Sequence, residues 1–162
     1  MACKAKLQDL GTLPLRCGSA AWRRRERVRD TDRAMSEEDL LSVLHSFCTA
    51  FTNRDAEGVM RLLASEAEVQ VVTSEESLLR GHEELRAFLD RYVNGPTTYA
   101  WEWDRHDVFQ LGPVGWLLAE GTEIATSGDR QVKNRYRMTM VCESREGRWT
   151  LRQLHGSSPH HG

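Results

Sequence analysis

The hydrophobic pattern of the chain changes period near residue 97. Upstream, apolar residues recur every three or four positions: Leu40, Leu44, Phe47 and Phe51 form one stripe, widened by Leu41 and Cys48. Leu85, Phe88, Leu89 and Tyr92 form another. Such spacing gathers side chains on one helical face and predicts helices over about residues 36–53 and 81–94. Asn53-Arg54-Asp55 breaks the first, and Asp55 can cap a shorter helix to about Ala64, with Val59, Met60 and Leu63 on one face. A short strand near Glu68–Thr73 follows, with a second over Ser77–Arg80. Asn94-Gly95-Pro96 stops the last helix.

Downstream the pattern is that of strands, rich in Val, Thr, Tyr, Met and Trp. Four are predicted: Thr98–Leu111, Trp116–Thr126, Gln131–Cys142 and Trp149–His155. They are joined by Gly112-Pro113-Val114-Gly115, Ser127-Gly128-Asp129 and Arg145-Glu146-Gly147. Joins this short favour antiparallel neighbours. The expected fold class is therefore α+β, a curved antiparallel sheet covered on one face by three helices.

Charge divides the chain. Residues 1–34 carry nine Lys or Arg against four Asp or Glu, whereas the remaining 128 carry thirteen against twenty. The run Trp22–Arg29 has no apolar periodicity, so residues 1–34 are expected to form a disordered basic arm or an upstream extension. A nucleic-acid or targeting patch is the alternative. Removing the arm should leave the fold intact. The body, residues 35–158, is acidic, which disfavours nucleic-acid binding there. Residues 159–162 read as a flexible tail. No apolar run approaches the roughly 18 residues of a membrane span. Cys3, Cys17, Cys48 and Cys142 lack metal-site spacing, so a reducing, cytoplasmic setting with free thiols is expected. His160 and His161 beside the terminus are weak evidence for a metal, and neither metal nor cofactor is expected.

Four segments carry a resemblance: Phe51–Gly58 (FTNRDAEG), Leu79–Phe88 (LRGHEELRAF), Val114–Gly121 (VGWLLAEG) and Glu146–Ser157 (EGRWTLRQLHGS). In this order and spacing they resemble the nuclear-transport-factor-2-like superfamily, and within it the SnoaL-like group. The resemblance implies a cone, with the sheet curled around the helices to leave an apolar cavity, and a homodimer through the outer sheet face. It implies no single function, since relatives include isomerases, dehydratases, cyclases and non-catalytic transport factors. Where ketosteroid isomerase carries its Asp base, this chain has Val71, which cannot accept a proton.

Candidate chemistry follows from strand alternation. Trp101 and Trp103 share a face, with Glu102, Asp104 and His106 opposite. The polar set either transfers protons in a cavity or faces water behind a tryptophan-lined core. Glu120 and Glu123 lie on opposite faces of one strand, so at most one points inward. Glu120 interrupts an apolar set of Trp116, Leu118 and Ile124; it is either an acid of raised pKa or the partner of Arg135 or Arg137. His155 alternates with Trp149, Leu151 and Gln153, which makes its face the inward one. The His155-Gly156-Ser157 ending matches the His-x-Ser ending frequent in SnoaL-like sequences, and carried over it puts His155 at the cavity as donor or relay. A histidine satisfied by a backbone carbonyl is the alternative. His82, at the start of a helix, reads as a terminus decoration.

The expected catalytic set is His155, Glu120 and Asp104. The expected binding set is Trp101, Trp103, Trp116, Tyr136, Arg137 and Gln153. The expected function is binding of a small apolar or weakly acidic molecule, with a cofactor-free cyclase, isomerase or dehydratase as the alternative.

Overall fold

The computed structural model describes residues 36–64, 69–75 and 77–159. The basic arm over 1–34 and residues 160–162 of the tail lie outside the described residues. Three helices, α1 (Glu37–Thr52), α2 (Ala56–Leu62) and α3 (Gly81–Asn94), interleave with two short strands, β1 (Gln70–Val72) and β2 (Leu78–Arg80). Four long strands follow: β3 (Thr97–Leu111), β4 (Val114–Ser127), β5 (Arg130–Arg145) and β6 (Arg148–Ser157). This is the α+β order expected from the periodicity.

Helix starts are set by side chains. Ser36 and Asp39 form a reciprocal capping box on α1, with Ser36 N donating to Asp39 Oδ2 at 2.8 Å. Asp55 Oδ1 accepts from Gly58 N at 2.7 Å and opens α2. The six strands form an open sheet in the order β2-β1-β6-β5-β4-β3. It is antiparallel throughout except where β1 runs parallel to β6. Long-range parallel pairing leaves no hairpin signature, so the sequence pattern gave no sign of it.

The core lies between α1 and the sheet. Leu40, Leu44, Leu117, Met140 and Leu151 are essentially inaccessible to solvent. The sheet face that receives α1 carries small residues. A Cβ on Gly115 would come within 2.5 Å of Leu40 Cδ1.

Two β-bulges break the alternation, and they decide which side chains face inward. In β3, Trp103 pairs with Gly121 and Arg105 with Glu120, leaving Asp104 unpaired. Gly121 makes room for it, since any Cβ there would overlap the carbonyl oxygen of Glu102. In β6, Leu151 pairs with Cys142 and Gln153 with Val141, so Arg152 is the extra residue of the bulge. Beyond that point the faces exchange. Leu154 and Gly156 are buried, while Gln153 and His155 are exposed. The expectation that His155 follows Trp149 and Leu151 inward is therefore not met. A single extra residue turns it to the outer face.

Candidate functional site

A cavity of about 540 Å³ lies between the concave sheet face and the helices. Its floor holds Val71, Met138 and Leu154. Val71, where the resemblance places the isomerase's Asp, is thus an aliphatic residue of the floor. Phe47 and Phe51 of α1 and Tyr92 of α3 form one wall, and Tyr99, Trp101 and Tyr136 of the sheet form the other. The helix wall is tied together. Phe51 and Tyr92 stack with centroids 4.2 Å apart, Tyr92 Oη donates to Phe51 O at 3.0 Å, and Arg54 Nη1 donates to Val93 O at 2.8 Å. Trp101 and Trp103 stack in parallel at 6.5 Å, and Trp103 backs the wall without lining it.

Glu123 of β4 stands in this aromatic wall. It pairs in register with Trp101 on β3 and Asn134 on β5, and both line the same cavity. Only 7% of Glu123 is exposed, and among the described residues no side chain forms an ion pair with it. Burial pushes its pKa up, and the charge of Glu75 at the cavity edge adds to the rise. The indole N–H of Trp101 acts the other way but stops short of a hydrogen bond, since Trp101 Nε1 is buried without a partner. Tyr136 is pushed up to about 12, by burial first and by Glu123 second, so it remains a neutral phenol. Gly156 makes space for that ring; a Cβ there would overlap Tyr136 Oη.

Of the residues expected to act, Trp101 and Tyr136 line the cavity. The others stand elsewhere. Glu120 accepts from Arg137 Nε at 2.8 Å, the partner option. Asp104 is exposed and paired with Arg135 Nη1 at 2.5 Å. Trp116 is exposed and stacked on Phe109 with centroids 5.7 Å apart. Gln153 and His155 follow the β6 bulge outward. Glu120 was expected to point inward because its neighbours Trp116 and Leu118 are large and apolar. The inward face of β4 instead holds Gly115, Leu117, Ala119, Gly121 and Glu123, all buried. Small residues where a helix and two tryptophans must fit were the signal that would have identified Glu123. His82 sits apart from the cavity, with Nε2 2.7 Å from Ala64 O. Among the described residues no group of His, Cys, Asp or Glu could hold a metal ion, and no helix is long and apolar enough to cross a membrane.

Residues 40–161 match the family model of the SnoaL-like domain. The chain belongs to that family. Among curated proteins none matches the chain in sequence. Solved structures share the fold of this SnoaL-like chain. A Streptomyces avermitilis protein of the NTF2-like family, provisionally named a dehydratase, superposes with a TM-score of 0.70 at 16% identity, over 76% of this chain and 96% of its own. A Novosphingobium aromaticivorans protein, provisionally named an aromatic ring hydroxylase, gives 0.69 at 14% identity, over 77% and 90%. A Pseudomonas putida NTF2-like protein of unknown function gives 0.66 at 16% identity, over 77% and 87%. At such identities the likeness concerns the fold alone.

Proposed function

We propose that this SnoaL-like domain binds a small, largely apolar molecule in the cavity between α1, α3 and the sheet. The supporting observation is Glu123, a carboxyl standing in the aromatic wall with no cation paired to it among the described residues. A polar group so placed costs stability unless a ligand or water completes it. Small-molecule sites combine such an apolar lining with a few convergent polar groups. Two carboxyls in the wall, Glu75 and Glu123, make an anionic ligand the less favoured choice. The free thiols Cys48 and Cys142 fit a reducing, cytoplasmic setting, and the exposed stacked pair of Phe109 and Trp116 on the outer sheet face fits a homodimer. The test is calorimetric titration with 2-naphthol as a neutral probe. One saturable site per chain is expected, abolished by Ala125→Phe, which fills the cavity while circular dichroism stays unchanged. No saturable binding, or binding indifferent to that substitution, contradicts the reading.

A second reading, acid–base catalysis without a cofactor, rests on the raised pKa of Glu123 beside the neutral phenol of Tyr136. Deuterium uptake at the α-carbon of 2-tetralone in D₂O is the measurement. Acceleration by the native chain and not by Glu123→Gln supports it, and equal rates overturn it.

A further inference from the structure

The charges around the cavity are unbalanced where the aromatic faces are densest. Glu123 lies at register with Trp101, flanked on β3 by Tyr99, on β5 by Asn134 and Tyr136, and across the opening by Ser74 and Glu75 of the β1–β2 turn. Glu75 is exposed and its charge reaches Glu123 and Tyr99. Among the described residues the lining holds one guanidinium, that of Arg91 on α3, which is exposed and forms no ion pair with Glu123. Arg54 is spent on the Tyr92 ring, its Cζ 5.8 Å from the centroid, and on the carbonyl of Val93. A carboxyl on a residue only 7% exposed, which lines a cavity and has no cation paired to it among the described residues, can serve as counter-charge to a bound cation. Aromatic faces beside it attract cations through their ring quadrupoles, most strongly for Trp and Tyr and most of all when water is excluded.

We infer that the cavity takes an organic ammonium ion, with Glu123 as its counter-charge, the faces of Trp101, Tyr99 and Tyr136 around it, and Glu75 drawing it in at the opening. The inference rests on the cavity being a binding site, and it specifies the charge and shape of what binds there. A fixed cation would lower the proton affinity of Glu123 and so expel the proton that burial favours. Affinity for such a ligand rises with pH as Glu123 ionises. A neutral ligand that accepts a hydrogen bond from protonated Glu123 shows the opposite sign.

Three probes of nearly one shape separate these cases: benzyltrimethylammonium, its uncharged isostere neopentylbenzene, and phenylacetate. Their affinities are measured by saturation-transfer NMR and calorimetry on the full chain. The expected order is ammonium tightest by at least about tenfold, isostere next and carboxylate weakest. Ammonium affinity is expected to increase from pH 5 to pH 8. Glu123→Gln, which keeps the shape, should bring the ammonium down to the level of the isostere and abolish the pH dependence. Glu75→Gln, at an exposed position that folding does not need, should cost about two- to threefold, and Trp101→Leu should weaken the ammonium more than the isostere. If isostere and ammonium bind alike, or Glu123→Gln leaves the ammonium unaffected, the inference falls and the binding reading stands. If none of the probes binds and 2-naphthol fails as well, both fall together.

Discussion

Glu123 is the residue on which the site turns, and its chemistry can be tested without knowing any ligand. In the unfolded chain it titrates near 4.5; in the folded chain burial holds the proton more tightly. The folded state therefore binds more protons over the window that opens at 4.5 and closes at the raised value, and this group's contribution to stability is lost as pH rises through it. Glu123→Gln stays neutral throughout. The substituted chain should be the more stable one above the window by roughly 1–3 kcal/mol, the range for a buried polar group without partners, and the gap should vanish below it. Urea denaturation of both chains at pH 4 and pH 8 checks this; equal pH dependence would contradict it. Tyr136 gives a second test. Gly156→Ala drives a Cβ into the phenol, so it should cost about 1–3 kcal/mol, as overpacking does. In a Tyr136→Ala background the cost should shrink, and a double-mutant cycle measures the coupling. The sequence revealed that Glu120 and Glu123 face opposite ways. It does not reveal which faces in, because bulk does not mark the inner face of this strand. Apart from Glu123, the buried inner face of β4 is glycine, alanine and leucine, which leaves room for α1 and the tryptophans.

At the level of elements, the two longer helices and the long strands were legible because their apolar residues repeat at 3.6 or 2 positions over ten residues or more, and Asp55 caps α2 as expected. The bulges were not, since one extra residue in a strand, such as Arg152, leaves no mark on composition. Its side chain is nonetheless held: Arg152 Nη2 and Nε both donate to Glu143 Oε2, which fixes the irregularity in place. The inversion it causes has a direct consequence. Leu154, 4% exposed on the cavity floor, should lose about 2–5 kcal/mol on substitution by Ala, whereas His155→Ala should cost no more than roughly 0.5 kcal/mol and leave 2-naphthol affinity unchanged. Strict alternation from Trp149 would give the reverse ranking. Denaturant midpoints of the two variants decide between them.

For the whole molecule, the residues that failed to reach the cavity describe the other side of the sheet. Phe109 pairs with Trp116, Trp116 with Val141, and Leu118 with Thr139, one row after another across β3, β4 and β5. Phe109 is 51% exposed and Trp116 41%, far more than a lone chain ordinarily leaves open for stacked aromatic rings. Beside them the Glu120–Arg137 and Asp104–Arg135 pairs set both signs of charge on the same face, which a two-fold axis can match against itself. The expectation is a homodimer through this face, burying at least about 1,000 Å² in total. Light scattering at micromolar concentration should give twice the 18.5 kDa of the chain. Trp116→Asp places a charge at the centre of the apolar row and should return the mass to one chain. Since Trp116 is not part of the cavity lining, that variant should still bind 2-naphthol. A native chain that scatters as a monomer would show that the exposed aromatic row has another use. Loss of probe binding in the Trp116→Asp monomer would show instead that the cavity depends on the second copy.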